Sequence, residues 1–198
     1  MPTRTDKGTV VVDLSRCLGC RSCEMACAKG HAGFKDIVEA VLAGADLTPR
    51  VHVVAAGGKA VPVQCQHCQD APCVAVCPSG ALYRDEAGGV VRANVARCIG
   101  CKSCVVVCPF GAVEIERKGG RVFKCDMCEN TIAEGEDPLC VAACPTRARV
   151  VTDLEELSAR KRRESAGRAL RTESAPRTEG APRTESAPRT IEVKQGDE

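Results

Sequence analysis

Residues 98–109 read Cys98-Ile99-Gly100-Cys101-Lys102-Ser103-Cys104-Val105-Val106-Val107-Cys108-Pro109. The spacing is C-x2-C-x2-C-x3-C-P, by which thiolates hold [4Fe–4S] clusters. Three closely spaced cysteines on one tight loop reach three irons of a cubane. The fourth sits on the short segment behind them, faces away, and serves the other cluster of a two-cluster unit. The proline after it ends that segment and turns the chain. One such run implies a partner run.

Three more are present. Cys17, Cys20, Cys23 and Cys27 repeat the spacing; Cys65, Cys68, Cys73 and Cys77 replace the second x2 by x4; Cys125, Cys128, Cys140 and Cys144 carry an eleven-residue loop between their halves. These positions account for all 16 cysteines, enough for four [4Fe–4S] clusters with four thiolates each. Structural zinc uses pairs of C-x2-C and does not explain three cysteines per loop followed by C-P. A redox C-x-x-C motif does not repeat in this way. Disulfides need an oxidising compartment, and residues 1–30 carry no apolar run of signal-peptide type, so the expected setting is cytoplasmic.

Composition points the same way. With one Tyr, three Phe and no Trp, an ordinary apolar core is poorly filled, and small units of this kind need staples such as metal clusters. The formal charge is +2, but each oxidised cluster with its four thiolates adds about −2, bringing a fully loaded chain to roughly −6. Nucleic acid is therefore not an expected partner. No apolar run approaches the ~20 residues of a membrane span.

Along the chain, residues 9–13 read as a strand entering the first cysteine loop, and 21–29 as a short helix carrying Cys23 and Cys27. Cys27 is followed by Ala28 instead of proline, a departure from the pattern. Phe34 to Leu42 has helical apolar spacing, with a stop at Gly44. Residues 50–54 and 61–63 read as strands around Gly57-Gly58. This insertion is a flap over one cluster, a docking surface, or both. Cys77-Pro78, Cys108-Pro109 and Cys144-Pro145 each open a C-P-x-x-A repeat followed by a short strand, at 82–84, 113–115 and 150–151. Gly88-Gly89 and Gly119-Gly120 close hairpins on the first two. Thr152-Asp153-Leu154-Glu155 resembles a capping box, predicting a helix towards Arg163. From Arg171 the hexamer Arg-Thr-Glu-Ser/Gly-Ala-Pro repeats, and residues 171–198 are expected to be disordered.

Four groups in this order, with x4 in the second and a long loop in the fourth, resemble the four-cluster iron–sulfur subunits of the dimethyl sulfoxide reductase and formate dehydrogenase type. Within that family the chain is similar to the small members serving carbon monoxide dehydrogenase or formate hydrogenlyase. Gln66-His67-Cys68 and Ala71-Pro72-Cys73 add to the resemblance, which covers about residues 9–152. It implies an α+β fold of two pseudo-symmetric bacterial ferredoxin-like units within 9–152. Unit A comprises 9–29 plus 120–152, unit B 61–119, and the insertion 30–60; a helical extension covers 153–170. It further implies that Cys17, Cys20, Cys23 and Cys144 hold one cluster, and Cys125, Cys128, Cys140 and Cys27 a second. Cys65, Cys68, Cys73 and Cys108 would hold a third, and Cys98, Cys101, Cys104 and Cys77 a fourth.

Such a protein is an electron relay, not an enzyme: the clusters supply the redox chemistry and the chain positions and tunes them. Neither a G-x-G-x-x-G fingerprint nor a P-loop is present. The expected partner is a catalytic redox subunit of molybdopterin, carbon monoxide dehydrogenase or hydrogenase type; the alternative is a freely diffusing polyferredoxin serving several oxidoreductases. Lys102, Lys124 and Arg97 sit beside ligands, where each either raises a potential or merely wets the surface. His67 reads as a surface group or a hydrogen-bond donor near a cluster more than as an iron ligand. Deleting residues 171–198 should leave the iron content per chain unchanged; a lower content after truncation would make the tail structural.

Overall fold

The computed structural model describes residues 8–85, 89–116, 119–133 and 135–173. The elements run β1 (Thr9–Val12), α1 (Ser22–His31), α2 (Ile37–Leu42), β2 (Val51–Ala56), β3 (Lys59–Gln64), α3 (Pro72–Ala75), β4 (Leu82–Arg84), β5 (Val91–Ala93), α4 (Ser103–Val107), β6 (Val113–Ile115), β7 (Val122–Lys124), α5 (Leu139–Ala142), β8 (Arg149–Thr152) and α6 (Leu154–Glu173). Among the described residues the strands form two-stranded antiparallel sheets: β1 with β8, β2 with β3, β4 with β5, and β6 with β7. The β1–β8 pair joins residues near both ends of the cysteine-bearing region, with Val12 opposite Arg149.

Two apolar cores result. One gathers Val10, Cys23, Cys27, Val51, Val53, Cys140 and Val141. The other gathers Cys73, Leu82, Val91, Cys104, Val113 and Val122. Each combines short helices bearing cysteines with valine-rich strands, and the architecture is the duplicated ferredoxin-like α+β fold expected from the repeats. The strands span three to six residues, too short to stand alone in water.

The punctuation residues explain the helix lengths. α3 has a proline in its first turn, where the missing N–H costs nothing. α3, α4 and α5 end just before or at Cys77-Pro78, Cys108-Pro109 and Cys144-Pro145. Ala28 allows α1 to continue past Cys27 to His31, two residues beyond the sequence expectation. α2 starts later than expected because the Asp36 carboxylate accepts from the Val38 and Glu39 amides, an N-cap that fixes the first turn.

The insertion is tied down at several points. Val51 and Val53 enter the first core, His52 Nε2 lies 2.6 Å from Glu114 Oε1 on β6, and the Arg50 guanidinium pairs with Asp126 at 2.5 Å while stacking over Phe123. Its hairpin is thus part of the packed body.

The chain divides into two compact units, Met1–Ser158 and Ala159–Glu198. Asp153 caps α6 through the Glu156 amide at 2.6 Å, one residue later than the capping box predicted from sequence. α6 runs well past Arg163 to Glu173, three residues beyond the helical extension expected over 153–170, because 164–173 are mostly good helix formers with no proline. Residues 171–173 are helical, correcting the expectation for the start of the repeat. Residues 174–198 lie outside the described residues.

Ala28→Pro should remove one backbone hydrogen bond of α1 and cost about 3 kcal/mol or more. The denaturant midpoint of the loaded protein would fall accordingly; an unchanged midpoint would show that α1 past Cys27 carries no stability.

Candidate metal centres

Each cysteine loop is built on one backbone device. The residue before the second cysteine is left-handed in all four: Gly19 (φ 69°), His67 (φ 47°), Gly100 (φ 71°) and Met127 (φ 60°). In the first and third loops the residue after that cysteine, Arg21 or Lys102, is left-handed too. The residue three beyond each Cys-Pro cysteine adopts the same conformation: Gly80, Gly111 and Arg147. Left-handed backbone at non-glycine residues is unfavourable by about 1–2 kcal/mol each, so His67, Met127, Arg21, Lys102 and Arg147 are strained positions held by their loops.

None of the sixteen cysteines is joined in a disulfide. Their electrostatic neighbours group them. Cys144 acts on Cys20, Cys128 and Cys140 on Cys27, Cys65 and Cys108 on Cys73, and Cys77 on Cys101. In each case the fourth cysteine of one run lies beside the loop of another. Cys17, Cys20, Cys23 and Cys144 also line one cavity together with Arg149. Cys98 packs with Cys77 and Cys108 around the second core. Cys68 is half-buried on the second loop, where its carbonyl accepts from Arg84.

Hydrogen bonds converge on the sulfurs. Backbone N–H groups donate to Cys27 from Arg50 (3.3 Å), to Cys65 from His67 (3.4 Å), to Cys77 from Leu82 (3.5 Å) and to Cys108 from Ala112 (3.4 Å). Ser22 Oγ lies 3.4 Å from Cys20 Sγ, and Arg149 Nη2 donates to Cys140 Sγ at 3.5 Å. This is a setting for thiolates bound to metal, whose potentials such bonds tune.

The metal-free thiols divide by position. Burial pushes Cys27 up to about 12 and Cys128 up to about 11, and it also raises Cys23, Cys73, Cys104 and Cys125. The Ser22 side chain is the first cause holding Cys20 below the ordinary thiol value, and the Ser103 amide the first for Cys101. Burial opposes ionisation at Cys77 and Cys144, but hydrogen bonds outweigh it and both are lowered. Buried thiols surrender their protons only to a metal, so loading and packing are coupled.

His31 was not singled out by the sequence. The extended α1 brings its Nε2 to 3.7 Å from Cys128 Sγ and its Nδ1 to 3.1 Å from Thr131 Oγ1. His31, Asp126 and Cys128 offer ligand atoms within 4.8 Å of one another. Asp126 already pairs with Arg50 and accepts the Cys128 amide, so the trio is the flank of a cysteine site. His67 accepts the Val91 amide at Nδ1 (3.1 Å), leaving its proton on an enclosed Nε2. Burial first, and the Lys124 charge second, hold its pKa down to about 3. The basic residues beside ligands part company: Lys102 and Arg97 are exposed, whereas Lys124 is 3% exposed and donates to the carbonyls of Val91 and Cys125.

Thiols in groups of four, fed by amide donors and set in duplicated ferredoxin-like units, define an iron–sulfur electron-transfer protein. Residues 58–154 match the family model of a 4Fe-4S dicluster domain, and 14–30 that of a 4Fe-4S binding domain. The chain is 41% identical over 175 residues to the electron transport protein HydN of Escherichia coli strain K12, spanning 79% of this chain and 96% of that one. It is 37% identical to an iron–sulfur protein of Rhodospirillum rubrum, over 78% of this chain and 87% of that one. Identity is also 37% with the probable anaerobic dimethyl sulfoxide reductase chain YnfG of Escherichia coli K12, over 74% and 73%. The chain belongs to the family of iron–sulfur electron-transfer proteins that includes HydN and the dimethyl sulfoxide reductase-type subunits. Its role is to relay electrons, not to catalyse. No helix among the described residues is long and apolar enough to cross a membrane.

Anaerobic treatment with a ferrous chelator should abolish most of the far-ultraviolet circular dichroism, because six buried core positions are cysteines. Retention of the full signal after iron removal would show that the fold stands without metal.

Proposed function

We propose that the chain holds four [4Fe–4S] clusters and relays single electrons between a catalytic redox subunit and an acceptor. Cys17, Cys20, Cys23 and Cys144 hold the first cluster; Cys125, Cys128, Cys140 and Cys27 the second; Cys65, Cys68, Cys73 and Cys108 the third; Cys98, Cys101, Cys104 and Cys77 the fourth. The clusters supply one-electron redox chemistry when bound. The observation that carries this reading is that Cys144 lines one cavity with Cys17, Cys20 and Cys23, with Cys77 likewise acting electrostatically on Cys101, the exchange of fourth ligands expected of paired runs.

Electrostatic influences between groups suggest an order. Cys140 acts on Cys23, Cys65 on Cys125, and Cys73 on Cys104. The groups thus follow one another as first, second, third and fourth. The second group is the most enclosed, with Cys27, Cys128 and Cys140 buried, whereas the first and fourth each include an exposed cysteine, Cys20 and Cys101. Leu18 and Ile99 sit beside these at 73% and 68% exposure. Apolar side chains at both ends suit docking of a donor at one and an acceptor at the other. The donor or acceptor is a catalytic subunit of the reductase type that YnfG's name gives for its own complex.

Anaerobic purification from native cells at low salt tests both halves. The expected result is about sixteen irons per chain together with a stoichiometric catalytic subunit. An iron count near eight overturns the four-cluster reading. A lone, fully loaded chain overturns the dedicated partner in favour of a diffusing polyferredoxin.

A further inference from the structure

Arg149 is the most deeply buried charged side chain among the described residues, at 2% exposure. A guanidinium carries five N–H donors and stays protonated. Here Nη2 donates to Gln64 Oε1 and, at 3.5 Å, to Cys140 Sγ. Nε and Nη1 are enclosed with no protein partner, which leaves three N–H donors unspent. No carboxylate among the described residues pairs with it. A buried cation in this state is costly unless an anion joins it.

Its surroundings name the anion. Arg149 lines the cavity bounded by Cys17, Cys20, Cys23 and Cys144, the first group of the proposed reading, while Cys140, to which it donates, belongs to the second. Burial raises the Cys23 thiol, and the Arg149 charge is the next influence and opposes it. β8 fixes this placement: Arg149 lies opposite Val12 of β1, five residues after Cys144.

We propose that Arg149 is a fixed cation set between the first two clusters, hydrogen-bonding sulfur on both sides and holding both reduction potentials above the values they would have without it. The inference rests on the cluster assignment above. Taking up one electron makes a four-thiolate cubane more negative by one charge, so an enclosed cation favours the reduced form. Solvent screens exposed Lys102 and Arg97, and they lack this leverage.

The test uses the full chain, loaded and purified anaerobically, as wild type, Arg149→Gln and Arg149→Lys, with iron content and redox titration followed by electron paramagnetic resonance. Arg149→Gln should keep its iron and shift two of the four midpoints to lower potential, and Arg149→Lys should restore them. Full iron in Arg149→Gln with all four midpoints in place overturns the role of Arg149 alone. A wild-type iron count near eight overturns the cluster assignment and, with it, a site between two clusters. Should Arg149→Gln lose iron, wild type grown on guanidino-15N arginine decides. A 15N coupling to the reduced clusters that disappears in Arg149→Lys supports the contact, and absence of any such coupling in wild type overturns it.

Discussion

A sulfur enclosed by apolar neighbours favours the protonated thiol, whereas iron takes the thiolate. Cys23, Cys27, Cys73, Cys104, Cys128 and Cys140 stand at that conflict, since each is a wall of a core and, in the proposed assignment, a ligand of iron. Around them are valines and alanines with almost no aromatic mass, on helices of four to ten residues and strands of three to six. Helices this short do not persist on their own in water. The amide donors that reach Cys27, Cys65, Cys77 and Cys108 serve the ionised sulfur better than the neutral one. Folding and metal binding are therefore one equilibrium, and the cofactor does the work that a larger core does elsewhere.

The parts of the fold readable in the sequence are those where a residue type has only one use. Gly19 and Gly100 announce the left-handed turn before the second cysteine, and Pro78, Pro109 and Pro145 announce where the short helices end. His67 and Met127 adopt the same backbone as the two glycines without any such mark, because the loop closure around the cysteines imposes it. The absence of a proline after Cys27 was visible, but its consequence was not. A longer α1 delivers His31 to Cys128, a contact across 97 residues that no local pattern records.

Charge placement was the least legible. Lys102 and Lys124 each stand next to a cysteine, yet one is in solvent and the other enclosed. Lys124 faces inward because β7 pairs with β6 in a register that sets it opposite Val113, and a strand places alternate residues on opposite faces. Arg149 follows the C-P-x-x-A repeat as one more basic residue in a basic stretch, and the β1–β8 pairing alone turns it inward.

Sequence adjacency to a ligand is thus a poor guide to influence on a cluster; enclosure is the better one. The field of an exposed cation is weakened by water and salt within about 10 Å, so the basic residues on the outer loops mainly shape encounter with a partner. An enclosed cation keeps its field but needs a counter-charge to be tolerated. In this fold the protein offers Arg149 a neutral amide oxygen and a sulfur, and the anions proposed to join it are the two neighbouring clusters. The same attraction that lets Arg149 be buried also favours the extra electron there. Structural stability of the loaded fold and ease of reduction are consequently linked through one side chain.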